Sequence, residues 1–190
     1  MPVRPSLLVL AGALALAGCD SGEVPSPAER QQGEAPAAPV SATRVELRSE
    51  GLAAGGEAFY FAAGKAEVEA ALTRVLGPVL RTGENAECGA GPVVFTDFAG
   101  GLTVNFQDDR LVGWNWRAPQ DGDAPATGTV TLPGKVQLGT ARAVVEAAPG
   151  FAPVEGSTLG EEFALGGEIG GFIAGDKVDM LYAGTQCFFR

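Results

Sequence analysis

The sequence predicts an α+β fold of two similar units, each a short helix packed on an antiparallel β-meander. Three observations predict it. Glycine (28) and proline (13) are frequent among 190 residues, which favours short strands and turns over long helices. A glycine-led helical pattern occurs twice, at 64–71 and at 139–146. Alternating apolar residues then mark strands with one buried face, Leu102, Val104 and Phe106 on one and Val112, Trp114 and Trp116 on the next.

The chain begins with one positive charge, Arg4, followed by an apolar run from Leu7 to Ala17. That run is too short for a membrane-spanning helix, which needs about 20 residues, so residues 1–18 are expected to be a cleaved leader. It ends in Leu16-Ala17-Gly18-Cys19. These four residues resemble the lipobox of bacterial prolipoproteins. The resemblance implies a diacylglycerol thioether on Cys19, usually with a third acyl chain on the freed amine, as a stable anchor in a membrane facing the periplasm. Asp20 is a sorting residue in some such proteins, and inner or outer membrane stays open.

From Cys19 to 42 the composition turns to Pro, Ala, Gly, Ser and Glu, with Pro25, Pro27, Pro36 and Pro39 and no aromatic residue. Such a stretch cannot bury enough apolar surface to fold. It is expected to be a disordered tether, stiffened by its prolines.

The first unit is assigned to 43–117. The apolar Phe59-Tyr60-Phe61 is read as a strand. Val68, Leu72, Val75 and Leu76 then share one face of a helix from Ala66 to Leu76, with Glu67 and Glu69 near its positive end and Gly77-Pro78 as its stop. In the hairpin beyond Gly100-Gly101, both apolar sets can face the core only if the loop holds an odd number of residues. A three-residue loop, Asp108-Asp109-Arg110, meets that condition, and the tryptophans become core residues. Thr103, Asn105, Gln107, Gly113 and Asn115 then line the opposite polar face. Of these, Thr103, Asn105, Gln107 and Asn115 are the candidate partner surface.

Residues 118–128 read as a connector. The second unit, 129–190, repeats the pattern: a strand at Val136-Gln137-Leu138, a helix from Gly139, and Gly170-Gly171-Phe172 leading into a strand that ends at Gly175-Asp176. The repeat spacing is roughly 70 residues, one supersecondary unit.

Once the leader is removed, Cys88 and Cys187 are an even pair in an oxidising compartment, which predicts a disulfide between them. They have no CxxC spacing and no adjacent basic residue, as a redox site would need. A metal site would lack ligands, since the chain has no histidine.

The missing histidine also removes the commonest general base and the usual triad partner. A net charge of −10 at pH 7 argues against nucleic acid as a partner. The acid doublets Asp108-Asp109 and Glu161-Glu162 cannot be glycosidase pairs, because neighbours on a strand point to opposite faces. Ser157 has no base, and the glycine-rich segments lack a Walker-type ending. No catalytic residue, metal or cofactor is expected.

A glycine-led helix followed by an antiparallel meander resembles small envelope modules of the beta-lactamase-inhibitor-protein type and the small outer-membrane-assembly lipoproteins, across 55–115 and 134–184. The resemblance implies that the sheet surface binds another protein. The expectation is therefore a lipid-anchored, non-catalytic protein-binding or assembly module, with a carboxylate-dependent envelope hydrolase as the alternative.

Overall fold

The computed structural model describes residues 41–119 and 123–188. The leader, Cys19 and the tether up to residue 40 lie outside these, as does the middle of the connector. Among the described residues the fold is mixed α and β, mostly antiparallel strands in two sheets, with two helices.

Strands β1 (Arg44–Arg48), β2 (Gly51–Ala54) and β3 (Glu57–Tyr60) precede helix α1 (Lys65–Leu76), which is followed by β4 (Arg81–Asn85), β5 (Val93–Phe98), β6 (Leu102–Gln107) and β7 (Arg110–Arg117). The chain continues through β8 (Thr129–Thr131) and helix α2 (Arg142–Glu146) to β9 (Phe151–Pro153), β10 (Glu161–Leu165), β11 (Ile169–Ala174) and β12 (Lys177–Gly184). The larger sheet has eight strands in the order β4-β5-β6-β7-β12-β11-β10-β9, antiparallel throughout. The smaller is β3-β2-β1-β8, antiparallel except for the parallel β1–β8 pair. Of this second sheet the sequence pattern announced only the strand at Phe59-Tyr60-Phe61, which falls on β3.

Both helices and the smaller sheet share one face of the larger sheet. Helix α1 buries Val68, Ala71, Leu72, Val75 and Leu76 there, a stripe at helical spacing, and α2 buries Val145. Glu69 turns inward and accepts a hydrogen bond from the buried Thr96 hydroxyl at 2.7 Å. The α1 terminus is closed by Gly77, at φ +100°, and by the connector, whose Thr127 hydroxyl donates to the Val75 carbonyl at 2.7 Å. The last-turn carbonyl thus has a partner. Trp114 and Trp116 are both core residues, and each indole N–H is satisfied: Trp114 donates to Arg48 O at 2.8 Å and Trp116 to Gly100 O at 3.0 Å.

The hairpin between β6 and β7 differs from the expected three-residue loop. Gln107 pairs with Arg110, so the loop is the two residues Asp108-Asp109, both at positive φ (48° and 56°), as a hairpin that matches strand twist requires. Parity is restored by a β-bulge: Asn105 faces Gly113 but Phe106 faces Leu111, leaving Val112 as the extra residue. Leu111, not Val112, therefore fills the core seat. The β11–β12 hairpin has the same device, with Asp179 the residue left over between Val178 and Met180. Since aspartate in left-handed backbone is strained, Asp109→Gly is expected to raise stability by about 0.5 kcal/mol in urea unfolding, after the entropy glycine gains when unfolded.

Two further expectations are corrected. Val136-Gln137-Leu138 is no strand; the Gln137 side chain bonds the backbone of Leu132 in both directions and folds the segment into a loop. The paired strand of that region is β8, a few residues earlier. Gly170 and Gly171 do not lead into β11 but lie within it, and the turn before it uses Gly166 and Gly167, at φ +61° and +80°. A Cβ on Gly170 would lie 2.0 Å from Tyr182 Cζ, and one on Gly171 would lie 2.4 Å from Phe163 Cζ. These glycines leave room for aromatic rings laid flat across the strand.

Candidate functional site

Among the described residues, the face of the larger sheet turned away from the core carries no helix. Its hydrogen-bond register sets out the side chains in rows. One row runs Arg81, Asp97, Thr103, Asn115, Tyr182, Gly170. Asp97 is its electrostatic pivot: one oxygen accepts the Thr103 hydroxyl at 2.7 Å and the other the Arg81 Nε–H at 2.8 Å. The Arg81 guanidinium also lies 5.0 Å from the Phe95 ring centroid, a cation–π contact. Phe95 in turn covers Gly83, where a Cβ would approach Phe95 Cζ to 2.5 Å.

Across this face runs the C-terminal segment, residues 185–188. Cys88 and Cys187 are at disulfide distance, with Cα atoms 5.0 Å apart, in keeping with the expected bond. Beside it, the Gln186 amide donates to Trp114 O and Ala183 O, both at 3.0 Å, and Asn105 Nδ2 donates to Thr185 O at 3.0 Å. Gln107 holds the other side of the bridge, donating to Ala90 O at 2.8 Å in the loop that carries Cys88.

All four residues of the expected partner surface, Thr103, Asn105, Gln107 and Asn115, therefore belong to this side of the sheet, but the structure gives them internal partners. Asn105 is only 5 % exposed, beneath the tail. Thr103, Gln107 and Asn115 are half-buried. The tail could not have been foreseen from strand alternation, yet its path leaves a signal in two glycines. A Cβ on Gly113 would fall 2.4 Å from Thr185 O, and one on Gly184, at φ +68°, would fall 2.2 Å from Val112 O. Backbone atoms cannot swing aside. Gly113→Ala is thus expected to lift residues 185–188 off the sheet and to destabilise by about 2 kcal/mol, read as faster amide exchange in the tail together with a lower urea midpoint.

The other half of the face is aromatic. Phe188 packs edge-on against Phe172 and Tyr182, at centroid distances of 5.5 and 5.1 Å, and Phe172 lies 5.8 Å from Tyr182. Such geometry is favoured by ring quadrupoles. Sequence reasoning missed this cluster because Gly170-Gly171-Phe172 is read there only as the lead into a strand, and Tyr182 and Phe188 are given no element.

The acids considered for catalysis are dispersed. Asp108 and Asp109 are exposed at the turn. Glu161 and Glu162 point to opposite faces of β10. Glu161 binds Arg142, which also contacts Glu146 at 3.7 Å and Asp176 at 3.0 Å. The hydrogen bonds to Glu161 and Asp176 hold the Arg142 guanidinium even more firmly protonated than an ordinary arginine. Glu162 is 4 % exposed and accepts the Ser157 hydroxyl at 2.6 Å as well as the Tyr182 hydroxyl. Among the described residues, no group of three His, Cys, Asp or Glu is placed to hold a metal ion. Comparison with protein families, with curated proteins and with solved structures found no match for this chain.

Proposed function

We propose that the chain is a lipid-anchored cell-envelope protein, held to its membrane through Cys19, and that the outer face of its larger sheet is a non-catalytic docking surface for another protein. The observation that carries this reading is an eight-stranded sheet face that, among the described residues, is left free of helices and crossed only by a pinned tail. Bonding Cys88 to Cys187 also fits an oxidising compartment, where such bonds persist.

The same reading takes 43–117 and 129–190 as two similar units. Matching backbone contacts support it. Lys65 N–H donates to Asp109 O and Arg142 N–H to Asp176 O, both at 2.9 Å, while Leu111 N–H donates to Ala63 O and Val178 N–H to Thr140 O, again at 2.9 Å. Both hairpins carry their bulge at the equivalent place, Val112 and Asp179.

Two measurements test the proposal. Mass spectrometry of the membrane fraction should find a chain beginning at acylated Cys19; a chain retaining residues 1–18 without acyl mass would end the anchoring claim. Photo-crosslinkers placed at Thr103 or Met180 should give adducts with a partner protein, and one at Val144, exposed on α2, should give none. Adducts from Val144 alone, or from no position, would remove the docking surface.

A further inference from the structure

Among the described residues four large apolar side chains are exposed: Tyr60, Val79, Leu80 and Val144. Apolar residues scattered singly over a surface call for no explanation. Val79 and Leu80 differ, because they are consecutive and follow Pro78, which is exposed as well. They lie in the short loop between α1 and β4, and its backbone is held at both ends: Gly77 N–H donates to Thr73 O at 3.1 Å and Leu80 N–H to Asp97 O at 2.9 Å. On this fixed loop the two side chains are 40 % and 45 % exposed.

The place of the loop in the fold says what covers it. Thr127 N–H donates to Leu76 O at 3.3 Å, and two residues later Thr129 N–H donates to Thr43 O at 3.0 Å. Between them, a Cβ on Gly128 would fall 2.5 Å from Thr43 O and 2.7 Å from Val75 O. The first described residues therefore meet the last turn of α1, and the chain leading back to Cys19 joins the domain at the same corner as Val79 and Leu80. Residues 19–40 can span no more than about 75 Å, so a lipid on Cys19 holds this corner within that distance of the bilayer. Tethering gives such a contact an effective concentration on the order of millimolar. Two apolar side chains too few to recruit a free protein are then enough.

Charge agrees with this. A chain of net charge −10 is repelled as a whole by anionic headgroups. Around this corner the acids do not outnumber the bases. Arg74, in the last turn of α1, is matched by Glu57, and Arg81, directly after Leu80, by Asp97. Arg44, at the start of β1, is exposed and makes no salt bridge among the described residues.

We propose that Val79 and Leu80 are a second membrane contact, dipping into the boundary between headgroups and acyl chains of the same bilayer that holds Cys19. The inference rests on the lipid-anchoring reading above and names the part of the folded domain that touches the lipid.

The test uses the full-length acylated protein in vesicles of phosphatidylethanolamine with a minority of phosphatidylglycerol. The fluorophore NBD is attached, without reductant, to Val79→Cys or to Val144→Cys, and vesicle flotation is read beside quenching by a lipid with a nitroxide near its acyl carbonyl. Quenching should be at least threefold stronger at position 79 than at 144, and Leu80→Glu should bring position 79 down to the level of 144. Equal quenching at the two positions in protein that floats with the vesicles would overturn the contact and leave the anchor standing. Protein that does not float would remove the anchor and this contact with it. A protein crosslink from a photo-probe at Val79, without lipid quenching there, would also overturn the proposal and give the corner to a protein partner.

Discussion

Replacing Trp114 by alanine is expected to lower the unfolding free energy by about 4 kcal/mol, the largest effect of any single side chain in this fold. Trp114 is fully buried on β7, a central strand of the larger sheet, and its indole N–H reaches Arg48 O at the end of β1 in the smaller one. The residue therefore fills the space between the sheets and bonds one to the other. Its removal leaves a cavity that neither sheet can close without breaking its own ladder. Trp114→Phe separates the two contributions. It keeps most of the apolar volume and loses the hydrogen bond, so its cost should be about 1–2 kcal/mol. Urea unfolding of both variants, followed by tryptophan fluorescence from Trp116, measures the difference. Equal costs for the two variants would mean that the hydrogen bond, rather than packing, holds the sheets together.

The second large effect belongs to Cys88 and Cys187. They are 99 residues apart, so the bond closes the chain from β5 to the tail and leaves β1 to β4 outside the loop; loop-closure entropy for that length is about 4.7 kcal/mol. Cys88→Ser should destabilise by some 3–4 kcal/mol, allowing for residual order in the unfolded chain. Reductant should lower the stability of the natural protein by a similar amount and leave the variant unchanged. Phe188 would also lose its restraint, and Asn105 would gain exchange with solvent. Unchanged migration of Cys88→Ser on a non-reducing gel would show that the bond does not form.

Much of the first half was legible because its pattern is dense. Val68, Leu72, Val75 and Leu76 repeat at helical spacing, and α1 runs from Lys65 to Leu76, one residue earlier than read. The requirement for an odd count in the β6–β7 hairpin was physically sound, yet two structures satisfy it. A three-residue loop does, and so does a two-residue turn followed by a bulge. Leu111 and Val112 are both apolar, so composition could not say which of them faces inward. The smaller sheet, apart from its strand at Phe59-Tyr60, was illegible for a different reason. Its strands have four or five residues at most, and β1 finds β8 across long sequence separation, which no local period records. In the candidate site, alternation placed Thr103, Asn105, Gln107 and Asn115 on one side of the sheet. It could not foresee that the chain's own end would lie over Asn105, because that depends on Gly113 and Gly184 making room.

The parallel β1–β8 pair has a consequence for how this chain can be made or cut. β1 opens the described chain and β8 follows the connector, while β7 is paired by β12, the last strand. A fragment stopped within the connector would gain two further bare edges, β1 on one sheet and β7 on the other, and each would be a template for another copy. During synthesis the outer edges of β1 and β7 stay open until β8 and then β12 emerge. Separable modules would not behave in this way: the halves interlock, and neither can be expressed alone as a well-behaved domain.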